Sequence, residues 1–190
     1  MADVTDDFNG ASLDAAWTVL SGTPVVSGGA VNPNGVMIRT GETFDNDHFS
    51  QITIVEATEQ GFCAIVRVTD ANNFYYFYIN GTTAQIFKLV GGSFAAVSSQ
   101  AVGLSVAAGA VWKLEITGTS LKGYLNGVEV CSGTDSDLAT GVPGIIDFQQ
   151  STATIDQWVG GPIVEDEDVV SDPSSWIVRR RRTLMSPISH

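Results

Sequence analysis

The chain has 190 residues, 44% of them apolar and 16% charged, with a formal net charge of −12. That length suffices for one domain with a real core. The charge argues against a groove for a phosphate backbone, and no stretch approaches the roughly 20 consecutive apolar residues of a membrane-spanning helix.

Charged residues fall below the usual level of about 25%, so the surface must be largely hydroxyl and amide. Twenty glycines and six prolines cut the apolar runs into short pieces, the pattern of an all-β chain. The first residues, Met-Ala-Asp-Val-Thr-Asp-Asp-Phe, have no basic start and no apolar stretch, so a cytoplasmic product without a signal peptide is expected. Cys63 and Cys131 fall in strand-like runs and are expected to be buried free thiols.

Taken in order, Asp7-Phe8 and Trp17 open the fold, and Gly28-Gly29 marks a hairpin between Val25-Val26 and Val31. Residues 36–39 and 49–55 read as strands separated by a polar loop at 42–48, which would leave His48 solvated. The next block, 61–69, 74–79 and 82–89, reads as three antiparallel strands joined by Asp70-Ala71-Asn72-Asn73 and by an Asn80-Gly81 turn. A two-residue turn there sets Ile79 against Thr82, Phe77 against Ala84 and Tyr75 against Ile86 on an apolar face. Tyr78 and Tyr76 lie on the other face with Gln85 and Phe87. If Thr69 lies opposite Phe74, Arg67 falls beside Tyr76. Arg67, Tyr76, Tyr78 and Gln85 then form one patch in which aromatic faces and planar polar groups could meet a sugar.

Residues 94–107 carry only a weak strand signal. The clearest pattern is 111–130: Trp112, Leu114 and Ile116 alternate with Lys113, Glu115 and Thr117. Asn126-Gly127 then supplies the positive φ angles of a type I′ turn. The register sets Leu125 against Val128, Tyr124 against Glu129 and Gly123 against Val130. A loop at 132–140 and final strands up to about Gly160 complete a sandwich assigned to residues 1–162.

From residue 163 the character changes: an acidic run, Glu165 to Asp168, precedes a block of Trp176, Ile177, Val178, Arg179, Arg180, Arg181, Arg182 and Leu184. By composition this segment cannot fold alone. Apolar anchors beside arginines are typical of protein interfaces, so residues 163–190 read as an acidic linker and docking arm.

The run Trp-Lys-Leu-Glu-Ile, the segment Gly-Tyr-Leu-Asn-Gly-Val, Gly141-Val142-Pro143-Gly144-Ile145-Ile146 and Ile155-Asp156-Gln157-Trp158 together resemble the concanavalin A-like lectin/glucanase domains, particularly the laminin-G-like branch. The resemblance implies a jelly-roll β-sandwich of two antiparallel sheets, extended here by the C-terminal arm. It also implies that Phe8 and Trp17 pack against Ile155 and Trp158 where the first and last strands meet. Glucanases of this kind carry Glu-x-Asp-x-x-Glu on one strand. The nearest match, Glu56-Ala57-Thr58-Glu59, sets its carboxylates on opposite strand faces, so no enzyme and no catalytic residue is expected. Neither histidine is placed beside a nucleophile. Relatives often hold calcium on loop oxygens, and Asp45-Asn46-Asp47, Asp70-Asn72-Asn73 and Asp135-Asp137 offer such oxygens. None has a fixed ligand spacing, and no cofactor or metal is assigned.

These readings lead to a non-enzymatic accessory protein of a large assembly, a phage capsid decoration or fibre-type component on the virion surface. Its arm would grip a capsid or tail protein, or further copies of the chain. The alternative is a carbohydrate-binding module that takes a glycan on the Tyr76 and Tyr78 face. A glycosidase relative is the third reading.

Overall fold

The computed structural model describes residues 2–56, 61–148 and 154–163. Among the described residues fifteen strands form two antiparallel sheets stacked as a sandwich. In the first sheet the order is β13 (Val128–Thr134), β12 (Ser120–Leu125), β11 (Val111–Thr117), β6 (His48–Ile54), β15 (Ile155–Pro162), β4 (Ala30–Asn32) and β3 (Val25–Ser27), with β1 (Val4–Asp6) also paired to β15. The second runs β10 (Ser93–Ala96), β9 (Thr83–Val90), β8 (Asn73–Asn80), β7 (Phe62–Asp70), β14 (Val142–Asp147), β5 (Val36–Arg39) and β2 (Trp17–Val19). Sheets built this way hide one face each, and the alternation in β11 shows it: Trp112, Leu114 and Ile116 are buried while the residues between them are half-buried.

The core between the sheets joins Ile52, Trp112, Leu114 and Trp158 of the first to Phe62, Val66, Tyr75 and Phe77 of the second. At Gly123 the two layers approach closely. A Cβ there would stand 2.6 Å from Cε2 of the fully buried Phe77 ring. A buried polar chain also crosses the core: Trp158 Nε1 donates to Ser50 Oγ at 3.0 Å, and Ser50 Oγ donates to the Gly144 carbonyl at 2.7 Å. The opening aromatics pack as the resemblance implied. Trp17 meets Trp158 edge to face at 4.9 Å and Phe8 lies 6.0 Å from Trp17. The strand that closes on β15 is nevertheless β1, ahead of both.

Three registers differ from the sequence reading. The β8–β9 turn centres on Gly81 and Thr82, because Asn80 pairs with Thr83. Ile79 therefore faces Ala84, Phe77 faces Ile86 and Tyr78 faces Gln85. A shift of two residues keeps every side chain on its expected face. Between Gly123 and Tyr124 the β12–β13 pairing is irregular, and Gly123 meets Cys131 in place of Val130, while Leu125–Val128 and Tyr124–Glu129 pair as expected. Between Val66 and Asp70 the β7–β8 pairing is also irregular, with Arg67 at φ 49° in the left-handed region. Cys63 and Cys131 are both buried free thiols.

Residues 164–190 lie outside the described residues, and with them the expected docking arm: Trp176, Ile177, Val178, Arg179, Arg180, Arg181, Arg182 and Leu184.

Candidate functional site

The meander β8–β9–β10 builds the site. Strand alternation sends Tyr75, Phe77 and Ile79 into the core and Phe74, Tyr76 and Tyr78 to the outer face of the second sheet. Across the pairing, β9 adds Gln85 and Phe87 to that outer face, beside Tyr78 and Tyr76 respectively. Phe94 of the edge strand β10 and Phe148, just after β14, complete it. Tyr76, Tyr78, Phe87, Phe94 and Phe148 line one shallow depression of about 290 Å³.

Tyr76 sits at the centre and is only 6% exposed. Its ring stacks on Phe87 at 5.3 Å, leans on Phe148 at 4.9 Å and meets Phe94 edge-on at 6.1 Å. Such pairs hold one another's orientation beyond mere area burial, so the floor is pre-formed. Burial, with Cys63 and Tyr78 adding to it, lifts the Tyr76 phenol above its ordinary range, so the hydroxyl stays protonated at physiological pH. Phe94 is 62% exposed and forms the open rim.

Of the expected patch, Tyr76, Tyr78 and Gln85 do share this face; Gln85 donates its Nε2–H to the Ser98 carbonyl at 2.8 Å. Arg67 does not. The irregularity in β7 turns it away from the patch, and it is 3% exposed. Its guanidinium bonds to the carbonyls of Asn46, Leu138 and Gly118 and to Asp47. The expected loop histidine is also corrected: His48 is the first residue of β6 and fully buried. It accepts the Arg67 backbone N–H at Nε2 (3.1 Å) and contacts the Asp45 carbonyl through Nδ1 (2.7 Å). Together Arg67 and His48 join β7 of one sheet to β6 of the other.

Four of the loop carboxylates that could have suggested calcium, those of Asp47, Asp70, Asp135 and Asp137, have partners of their own. Asp70 bonds Asn72 and Asn73, Asp47 bonds Arg67 and the Gly118 N–H, and Lys88 bridges Asp135 and Asp137. Burial pushes the Asp135 carboxyl up, but bonds from Lys88, the Asp137 N–H and the Tyr75 hydroxyl outweigh it and hold the group below its ordinary range. Glu56 is exposed, and Glu59 lies outside the described residues.

The outer face of the first sheet also carries aromatics, but they are already in use. Lys113 Nζ lies 4.5 Å from the Phe49 ring centroid and 5.6 Å from that of Tyr124, and is ion-paired to Glu115. Phe94 and Phe148 had no sequence signal, since one falls in a weak strand and the other outside any periodic run. Phe87 lies on the face that the alternation predicts, opposite Tyr76.

No family model matches the sequence, and neither does any curated protein. Solved structures do match. The carbohydrate binding module CBM66 from Bacillus subtilis is similar at a TM-score of 0.57 and 20% identity, over 77% of this chain and 92% of that one. A Bacillus subtilis protein of unknown function with a galectin-like fold gives 0.60 at 10% identity, over 85% and 96%. A prokaryotic β-1,3-1,4-glucanase (lichenase) derived from a mouse hindgut metagenome gives 0.54 at 12%, over 86% and 100%. At these identities the likeness concerns the fold alone, a concanavalin A-like jelly-roll β-sandwich. An architecture that hosts both binding modules and hydrolases leaves function to the site.

Proposed function

We propose that the chain is a carbohydrate-binding module that takes a glycan on the outer face of its second sheet, over Tyr76, Tyr78, Phe87, Phe94 and Phe148. The observation that carries this reading is the pre-formed aromatic depression itself. Its floor is fixed by ring-on-ring packing, its rim is open at Phe94, and among the described residues no carboxylate lines it. Aromatic faces bind sugars by covering their C–H surface, and a pre-organised floor avoids the entropy of ordering rings on binding. Likeness in fold to a carbohydrate binding module and to a galectin-like protein supports the reading. The absence of a paired carboxylate at the depression favours binding over hydrolysis, which needs two carboxyl groups about 5 to 9.5 Å apart.

The expected role in a particle rests on residues 164–190. Nothing among the described residues or the similar structures named above supports it, and the glycan reading takes its place.

A glycan array probed with the wild-type protein and with Phe94→Ala tests the proposal. Phe94 is mostly exposed, so its loss leaves the fold intact while removing the rim. The wild type is expected to bind a defined set of glycans, and the variant to bind them about tenfold more weakly. A blank array, or equal binding by both proteins, contradicts it.

A further inference from the structure

The lining of the depression narrows the ligand. Its five residues are all aromatic, and their only polar side-chain atoms are the hydroxyls of Tyr76 and Tyr78. The neighbouring Gln85 gives one of its two amide N–H groups to the Ser98 carbonyl. An ordinary hexopyranose brings several hydroxyls, and each one desolvated against a ring without a partner costs affinity. A volume near 290 Å³ lies at the small end of the about 300–1,000 Å³ range of ligand pockets, room for a single sugar unit.

Charge excludes another class. Among the described residues the basic side chains are Arg39, Arg67, Lys88, Lys113 and Lys122, and each is already paired. Their partners are Asp6 and Glu42, Asp47, Asp135 and Asp137, Glu115, and Glu129 respectively. Among the described residues no basic side chain lines the depression, and the whole chain stands at −12. A uronic acid or a sulfated or phosphorylated sugar would enter a repulsive field with nothing to meet its charge.

Resting on the carbohydrate reading above, we infer that the bound unit is a neutral sugar that buries a methyl group in this aromatic depression, either the C6 methyl of a 6-deoxyhexose or the acetamido methyl of an N-acetylhexosamine. Both present a compact apolar group to the rings and keep their hydroxyls toward the open side at Phe94. The two sources share one chemistry and are separated by the test.

Calorimetric titration of the full chain with matched free sugars reads this directly. The pairs are L-fucose with L-galactose, L-rhamnose with L-mannose, and N-acetylglucosamine with glucose, with glucuronic acid and choline as further arms. At least one methyl-bearing sugar is expected to bind about tenfold more tightly than its hydroxylated partner, and to weaken in Phe94→Ala. Preference for the deoxy pairs identifies the C6 methyl, and preference for the acetylated pair the acetamide. Equal binding of both members of every pair overturns the inference and leaves the carbohydrate reading standing, as does preferred binding of glucuronic acid. Binding of choline with no sugar bound overturns both. If no single sugar is held, the array hits decide. Hits terminating in methyl-bearing sugars uphold the inference, hits without them overturn it, and a blank array removes both readings.

Discussion

Both ring nitrogens of His48 are committed: one meets the Asp45 carbonyl, the other accepts the Arg67 N–H. The pattern fits only the neutral ring, because a proton on Nε2 would remove the acceptor that Arg67 needs. Burial is the main cause that lowers its pKa to about 4, with the Arg67 guanidinium adding to it and the Asp45 carbonyl, Asp47 and Asp45 pulling the other way. The folded chain thus holds this proton less tightly than the unfolded chain does. Stability is therefore complete above the unfolded value of about 6.5 and is lost as pH falls through the window down to about 4. The loss at pH 4 amounts to about 3 kcal/mol. Denaturant titrations of the wild type and His48→Asn between pH 7 and pH 4 check this. The variant should lack that share of the acid loss, and parallel curves would refute the assignment. Ser50 offers a second test at this scale. Ser50→Ala leaves the Trp158 N–H and the Gly144 carbonyl without their partner in a dry core, and is expected to cost about 1–3 kcal/mol in the same titration at pH 7.

At the scale of elements, what could be read from sequence was whatever a two-residue period can carry. The β11–β12–β13 meander, its Asn126-Gly127 turn with both φ angles positive, and the facing of Tyr76, Tyr78 and Gln85 followed from alternation alone. The irregularities did not. Whether Gly123 faces Val130 or Cys131 depends on how tightly the layers close at Phe77, a contact between residues far apart in the chain. The same holds for Arg67, whose long side chain suits an outer face by period but finds three carbonyls and a carboxylate at the end of the sandwich. His48 reads as a loop residue because Asp45, Asn46 and Asp47 before it are polar, whereas its buried partner stands nineteen positions away. Phe94 and Phe148 reach Tyr76 only through the folded sheet, so two of the five residues that line the depression are not legible in the sequence. Gly123→Ala tests the close approach: a Cβ against the immobile Phe77 ring should cost about 1–3 kcal/mol in denaturant unfolding, and a neutral result would show that the layers can part.

For the whole molecule, the two sheets divide the work unevenly. The inner faces make one continuous core, and the outer face of the first sheet engages its aromatics with Lys113. The outer face of the second sheet gathers a further apolar cluster that ends in the open aromatic depression. A sandwich needs only one buried face per sheet, so apolar residues on a second face call for a separate reason, and the proposed glycan binding would supply it. The most direct test is to titrate the isotopically labelled protein with the strongest array ligand and follow amide and aromatic resonances. The account predicts shifts centred on Tyr76, Tyr78, Phe87 and Phe94. Shifts centred instead on Phe49, Lys113 and Tyr124, or none at all, would contradict it.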